Sequence, residues 1–515
     1  MTRAPRALAG ALVALTGLAV AQLVTRATGT RDSPVEAVAT WIIQHPPGAL
    51  TEHLIKAVQR ADKPLLIGGT VLVVTLVLAW LTAGPGRRSI AWPMLGSGVL
   101  AGIGALAIAA QPGAAGARML SVVAGLATWL LLLPPMVRAI PAATSPDSPR
   151  GRAPLGVREA PTRRGFLVRV GLVAALGGVA LVLSRYAGSG RRRVEQARAA
   201  LRLTGVTKPV VPAGADLGIA DQPRWLTPTG EFYRIDTALL PPALEPDTWR
   251  LRIHGMVDRP LELTLQDLLE RELTEDWLTL MCVSNTVGGD LIGNAWWSGV
   301  RIAPLLAEAG VHADADGVLQ TSSDGWTCLT PLDALTDDRN AMLAVAMNGA
   351  ALPVEHGFPV RMIVPGLYGY VSATKWLVDL KVTRFDDDEG YWTPLGWSAR
   401  GPIKLGSRID VPEYGGPAKL DGEAVVIAGT AWHQHTGVSA VEVSVDGGAW
   451  TRAELAADPG IDSWVQWRLT AKLDSGDHQA RVRAIGADGE VQTGAQAEPA
   501  PDGATGWHHI TFEVA

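Results

Sequence analysis

Five apolar runs, near residues 7–25, 64–83, 90–110, 118–137 and 165–184, constrain this chain more than any other feature. About 20 apolar residues is the length that spans a bilayer's hydrocarbon as a helix. Residues 1–185 are therefore read as a transmembrane region of about five helices. Arg3 and Arg6 precede the first run, Arg87 and Arg88 join the second and third, and six arginines from Arg138 to Arg164 precede the fifth. The positive-inside tendency then puts these three stretches in the cytoplasm and the C-terminal half outside it. For the first run the alternative is a cleaved leader, with Ala19-Val20-Ala21 as a small-residue cleavage site.

All ten histidines fall outside the five runs, so a bis-histidine haem within the bilayer is not expected. Charge inside the runs is scarce, and Arg169 lies near enough to one end to reach the interface. This favours an anchor contacting membrane lipid over an ion pathway, and disfavours a transporter or channel carrying a sensor domain. Residues 1–190 hold 18 Lys/Arg against 6 Asp/Glu, which leaves 27 against 44 for the remainder. An acidic surface repels phosphates, so nucleic acid is not expected as a partner.

Residues 186–225 read as a linker, rich in arginine and then broken by Pro and Gly. From 226 to 400, short β-rich runs such as Trp249–Ile253 and Val360–Val364 alternate with helical stretches such as Thr264–Leu273 and Ile302–Ala309, the pattern of an α+β domain. From 401 to 515 the pattern changes to regularly spaced strands, including Ala424–Ala428, Val441–Val445, Gln466–Leu473 and His478–Ile485, with Asp446-Gly447-Gly448 as a hairpin turn. These fit a small all-β sandwich of immunoglobulin-like type. Two cysteines cannot make a disulfide scaffold, so each domain must rest on its core. Cys282 itself has three readings: a metal-binding thiolate, a small buried residue, or the partner of Cys328 in a disulfide.

The segment Thr279-Leu280-Met281-Cys282-Val283-Ser284-Asn285 and the turn-rich stretch from Val287 to Gly299 resemble the molybdenum-ligand segment of the sulfite oxidase family, in its bacterial membrane-anchored form. Further motifs agree in order: Phe232-Tyr233-Arg234, Ser323-Asp324-Gly325, His356-Gly357-Phe358-Pro359-Val360-Arg361 and Ser372-Ala373-Thr374-Lys375-Trp376. The resemblance implies an α+β molybdopterin domain followed by an immunoglobulin-like dimerisation domain. It implies a molybdenum-molybdopterin cofactor held by two dithiolene sulfurs and the Cys282 thiolate, with Tyr233, Arg234, Asp324, His356, Arg361, Ser372, Ala373, Thr374 and Lys375 binding the cofactor. Physically, Arg234, Arg361 and Lys375 could hold the pterin's terminal phosphate, and His356 could donate to the phosphate or to a pterin oxygen.

Thr162-Arg163-Arg164-Gly165-Phe166-Leu167-Val168-Arg169 looks like the twin-arginine export motif, displaced from its usual place at the N-terminus, a route for proteins that cross after folding around a cofactor. The departures from the family matter as much. Paired arginines that bind sulfite in the family correspond here to Thr286 and Val287, and the tract Pro499-Ala500-Pro501-Asp502-Gly503 lacks a further one. The family's active-site tyrosine corresponds to Trp326, which is taken with Cys282 as catalytic. A pocket of Trp296, Trp297, Trp326 and Tyr368 would suit a small uncharged substrate such as a sulfoxide or N-oxide, although such aromatics are as readily core. The expectation is thus an enzyme for two-electron oxygen-atom transfer on an unknown small molecule other than sulfite. With no haem motif recognised, electrons would pass to a separate partner or to quinone. A non-catalytic membrane-tethered binding module on the same fold is the alternative.

Overall fold

The computed structural model describes residues 3–28, 30, 33–44, 62–84, 90–111, 115–140, 162–187, 189–238, 240–421, 424–458 and 460–515. Arg87, Arg88, Arg150, Arg152 and Arg158, which the orientation argument uses, and His45 and His53 lie outside the described residues. The chain forms two compact units, Met1–Arg193 with Ala238–Leu240, and Val194–Thr237 with Pro241–Ala515.

The first unit contains α1 (Arg3–Ala27), α2 (Pro34–Gln44), α3 (Asp62–Ala83), α4 (Ala91–Ala109), α5 (Ala115–Arg138) and α6 (Arg163–Ala187). Five of them, all but α2, are long and apolar enough to cross a membrane. Helix α1 packs against α3, α5 and α6. A Cβ at Gly17 would overlap the Trp129 ring of α5, whose Nε1 donates to Ala14 O at 3.1 Å, and Thr16 Oγ1 donates to Val173 O of α6 at 3.2 Å. Small residues that let backbones approach, with hydroxyls and an indole bridging them, are how helices associate where no aqueous hydrophobic effect drives them. The outer helices instead turn large side chains outward, as at Leu106 and Leu131, both 73% exposed, the arrangement that lipid tails would cover.

Helix α7 (Ser189–Ala200), most of it in the second unit, occupies part of the stretch read as a linker. Its Val194 is fully buried with Phe232 and Leu352, because this turn of chain carries an apolar residue between arginines. The α+β layer then holds β1 (Arg250–Gly255), β2 (Leu261–Thr264), α8 (Leu265–Leu269), β3 (Thr274–Met281), β4 (Ile292–Arg301), α9 (Ile302–Ala309), β5 (Gly317–Ser322), β6 (Thr327–Pro331), α10 (Asp333–Thr336), β7 (Met342–Met347), β8 (Ala350–Ala351), β9 (Arg361–Ile363) and β10 (Leu377–Thr383). One sheet runs β2-β1-β10-β5-β6 and the other β3-β4-β7-β8, with β9 beside β7. Helix α8 is shorter than the stretch Thr264–Leu273 suggests. Thr264 and Asp267 form a capping box at its start, and by Thr274 the chain has entered β3.

The C-terminal half is all β: β11 (Gly406–Val411), β12 (Lys419–Asp421), β13 (Ala424–Trp432), β14 (Val438–Val445), β15 (Thr451–Arg452), β16 (Glu454–Leu455), β17 (Val465–Ala471), β18 (Gly476–Gly486) and β19 (His508–Val514). Two antiparallel sheets, β11-β13-β17-β16 and β15-β14-β18-β19, share one core of alternating inward residues such as Ile427, Trp467, Val441, Val482 and Phe512.

The two halves of this unit are joined along β3. Its Thr279 N donates to Asp462 O at 3.0 Å, Gln434 Nε2 donates to Thr279 O, and Trp464 N donates to Thr279 Oγ1. Beside it, Trp225 and Trp464 each donate from Nε1 to the other's carbonyl at 2.9 Å. Both rings are almost fully buried, and an unsatisfied indole N–H there would cost about 1–3 kcal/mol, so the reciprocal bonds let the apolar burial count in full.

Candidate functional site

Strand β3 delivers Cys282 to the rim of the sheet, and the following loop folds back on it. Cys282 N donates to Leu291 O, Asn285 N to Cys282 O, and Leu291 N to Asn285 Oδ1. From the C-terminal layers, Arg408 Nη1 donates to Gly289 O at 2.7 Å, and Gly288, at φ +78°, leaves room for His508, whose Nε2 would lie 2.3 Å from a Cβ there. Cys282 is 9% exposed. Burial pushes its thiol up, while the Ser284 N–H and hydroxyl, which donate to the sulfur, and the Lys375 ammonium pull the other way. Cys282 and Cys328 are both free, so the disulfide reading fails. Burial raises Cys328 to about 12, and its sulfur lies 3.2 Å from Thr374 Oγ1.

Facing the cysteine is a cluster of cations. Gly357, at φ +112°, lets the His356 turn press on the Lys375 segment: a Cβ there would sit 3.0 Å from Arg361 Cβ and 3.1 Å from Lys375 Cα. Met362 N donates to Thr374 O and Leu377 N to Val360 O, which locks the two segments side by side. Arg361 is 4% exposed, its guanidinium lies 5.2 Å over the Trp297 ring, and its Nη1 donates to His356 O at 3.3 Å. Burial lowers it to about 10, so it stays cationic near neutral pH. Lys375 Nζ donates to Asp236 at 3.1 Å and is lowered by burial to about 8. His356 is lowered by burial, then by Arg361, Lys375 and Arg234, to about 3, so its ring is neutral. Phe232 sets the wall, stacked on Tyr233 and edge-on to both His356 and Trp297 at 5.8 Å, over Gly293, where a Cβ would lie 2.8 Å from the ring. Burial raises the Tyr233 phenol, as does the thiolate of Cys282, against the pull of Arg361.

Residues 238–392 match the oxidoreductase molybdopterin binding domain family. The uncharacterized oxidoreductase YuiH of Bacillus subtilis is 34% identical over 173 residues, 34% of this chain and 84% of that protein. Sulfite oxidase of Gallus gallus is 30% identical over 52% of this chain and 68% of that protein. The chain belongs to the sulfite oxidase family. As a member it is a molybdenum-dependent oxidoreductase. Its match to human mitochondrial sulfite oxidase, at 28% identity over 50% of this chain, spans about half of that enzyme, 51%.

The residues present fit the family's pterin cofactor. Among the described residues, two buried polar atoms beside the cations, His356 Nδ1 and Arg361 Nε, have no hydrogen-bond partner. Such groups are rare without a ligand or water to satisfy them. The neutral His356 ring thus keeps its Nδ1 open beside Arg361, where a polar atom of a pterin would meet it.

Other expected residues divide. Ser372 and Thr374 are fully buried, with Ser372 Oγ donating to Leu367 O and Tyr368 O and Thr374 Oγ1 lying 3.2 Å from Cys328 Sγ. Ala373 N donates to Gly369 O. The Asp324 carboxylate accepts Trp326 N at 3.1 Å and shapes a turn tied to Trp376 by Ser323 N. Arg234 is exposed, near enough to depress His356 and Lys375. Among the described residues no ring contact or hydrogen bond joins Trp326 to Cys282. Trp296 pairs with Trp277, five positions before Cys282, which at about 3.4 Å per residue puts it roughly 17 Å along the strand. Trp297 is fully buried, its Nε1 donating to Leu278 O and its face under Arg361, so Trp296 is packing while Trp297 backs the cation cluster.

Sequence reasoning missed Ser284, Asp236 and Lys404. Tyr368, 1% exposed, is raised to about 12 by burial, with Asp502 and the Cys282 thiolate adding to the rise, and it accepts the Lys404 N–H. A Cβ at Gly503 would lie 2.4 Å from its hydroxyl, so the tract from the C-terminal layers closes over this side of the cysteine. There Lys404 Nζ donates to Asp502 Oδ1 at 2.8 Å and to Gly503 O. Nothing in the residue types at 236 or 404 marks them, since each works through a neighbour about a hundred residues away or more, whereas Ser284 sits two residues from the cysteine it acts on.

Proposed function

We propose that this enzyme transfers an oxygen atom to or from a small uncharged molecule, with sulfoxides and N-oxides as the class, and that sulfite is not its substrate. The observation that carries this reading is the placement of charge. Arg361, Lys375 and Arg234 lie on the His356 side, suited to a terminal phosphate, whereas the opposite side offers Thr286, Val287 and a Lys404 already paired with Asp502. Small dianions are held by charge-assisted bonds of roughly 1.5–3 kcal/mol each, so losing two weakens sulfite recognition by at least about 100-fold.

In this reading the bound cofactor supplies the two-electron chemistry, with Cys282 its protein sulfur ligand. Ser284 donates to that sulfur and favours the thiolate. Arg361 and Lys375 neutralise the phosphate, Tyr233 and Phe232 form a wall, and Tyr368, protonated across neutral pH, offers an O–H toward the approaching substrate. The test is dye-linked turnover by detergent-extracted, molybdenum-loaded protein. Sulfoxides or N-oxides should oxidise a reduced dye, and efficient sulfite oxidation with an oxidised dye would overturn the proposal. Asp502→Asn, which frees Lys404, should tighten sulfate inhibition about tenfold at low salt, less as salt rises.

The proposal extends to organisation: 1–185 a lipid-embedded anchor, 186–225 a connector, 226–400 the cofactor domain, and 401–515 an immunoglobulin-like domain that pairs two copies. The two facing antiparallel sheets support that last assignment. Arg163 and Arg164, at the start of α6, would direct export, with the catalytic half outside the cytoplasm and electrons passing to a separate protein or to quinone. Changing both to lysine should leave residues 190–515 cytoplasmic, so that protease added to spheroplasts spares them while digesting the wild type. Equal protection of the wild type would reverse the topology.

A further inference from the structure

The C-terminal layers carry a second cluster, remote in sequence from every motif above. His433 follows β13 and begins a tight turn, accepting Thr436 N and Gly437 N on its carbonyl. Asp488 and Glu490 lie in the turn after β18, where Gly486 N donates to Glu490 O and Glu490 N to Asp488 Oδ1. Ala487 N donates to Gly437 O and fixes one turn against the other. One ligand atom from each of His433, Asp488 and Glu490 lies within 4.8 Å of the others. The two carboxylates are exposed, but the imidazole is 9% exposed, and its Nδ1 is buried with no hydrogen-bond partner among the described residues. That nitrogen faces the acidic turn: a Cβ at Gly486 would stand 2.6 Å from His433 Nδ1 and 2.4 Å from Asp488 Oδ1. Glu490 Oε2 lies 3.8 Å from the ring's Nε2.

We propose that His433, Asp488 and Glu490 form a divalent transition-metal site of the zinc type, clamping the turn after β13 to the turn after β18. One imidazole and two carboxylates suit zinc, whose ligands lie about 2.0–2.2 Å from the ion and therefore roughly 3.5 Å from one another in a tetrahedron. Closing from 4.8 Å needs only rotation of two exposed carboxylates. Water would complete the coordination.

The full-length protein in detergent, treated with EDTA and desalted, is titrated with Zn2+ alone, and bound zinc and molybdenum are counted after gel filtration. The expected result is one zinc per chain, with a rise in the thermal midpoint of unfolding. Affinity should fall about tenfold or more in His433→Ala and in Asp488→Asn. Asp488→Asn keeps the oxygen that accepts Glu490 N, so it holds the test even where His433→Ala misfolds. His435→Ala, which alters the neighbouring group of Asp337, Asp338 and His435, should bind zinc as the wild type does. No zinc uptake by the wild type, unchanged affinity in Asp488→Asn, or loss confined to His435→Ala would each overturn the proposal.

Discussion

Cys282→Ser protein should fold, keep the wild-type unfolding midpoint to within a few degrees, and lose at least about 100-fold of its turnover together with the visible sulfur-to-molybdenum absorption, because an alkoxide is a harder and weaker donor to this metal. Folding survives because Cys282 is held by its backbone, through Leu291 O and Asn285 N, and its sulfur has no structural partner beyond Ser284. Cys328→Ser should retain both activity and absorption. Its thiol touches Thr374 in a fully buried place, where a hydroxyl can make the same bond. Equal loss of activity in the two variants would mean that the cavity around Thr374, and not ligation at Cys282, limits turnover.

The second large effect is expected at Lys375. Its side chain is 10% exposed and that of Asp236 7%, so Lys375→Met removes the cation paired with a buried carboxylate, at a cost of about 3 kcal/mol. For a unit of this size that lowers the unfolding midpoint by roughly 4–5 °C. Lys375→Met combined with Asp236→Leu should recover most of the stability, but not the cofactor, because the phosphate still lacks its cation. Calorimetry and molybdenum content separate the two losses, and a double variant that regained full molybdenum would remove Lys375 from the cofactor's contacts.

A pH dependence follows from the same lysine. Its folded pKa, about 8, lies below its ordinary 10.5, so the folded apoprotein bears a penalty for the charge. That penalty is complete below about 8 and fades as pH rises toward 10.5, so apoprotein stability increases through this window. Uptake of the cofactor should move oppositely, declining once the pH passes about 8 and the ammonium loses its proton. Parallel melting curves and loading assays from pH 7 to 10 would test both signs.

What the sequence disclosed and what it withheld follow from range. The apolar runs, the alternating strands and the Cys282 segment are local patterns, and they appear in the structure nearly where they were read. His356, Arg361 and Lys375 were legible because each sits in a short motif, and the fold brings those motifs together. The charge state of His356 was not legible: Arg361, Lys375 and Arg234, which help hold the ring neutral, come from three separate stretches of the chain. Trp296 is carried away from Cys282 along the strand at about 3.4 Å per residue, while Trp297 on the opposite face lies under Arg361 and beside Phe232. Lys404 and Asp502 lie nearly a hundred residues apart, and only the closure of the C-terminal layers makes them a pair.

The joint along β3 bears on when the enzyme can become active. Thr279, three residues before Cys282, donates to Asp462 O and accepts from Gln434 and Trp464, which the ribosome makes more than 150 residues later. A nascent chain ending before residue 464 would hold a raw strand edge beside an unfinished cradle. Cofactor loading must therefore wait for almost the whole polypeptide, long after the codons for the apolar helices have been read. If residues 190–515 cross the membrane as proposed, anchoring begins first, loading comes second and crossing last, so a cell that stalls synthesis late would accumulate anchored, cytoplasmic and molybdenum-free enzyme.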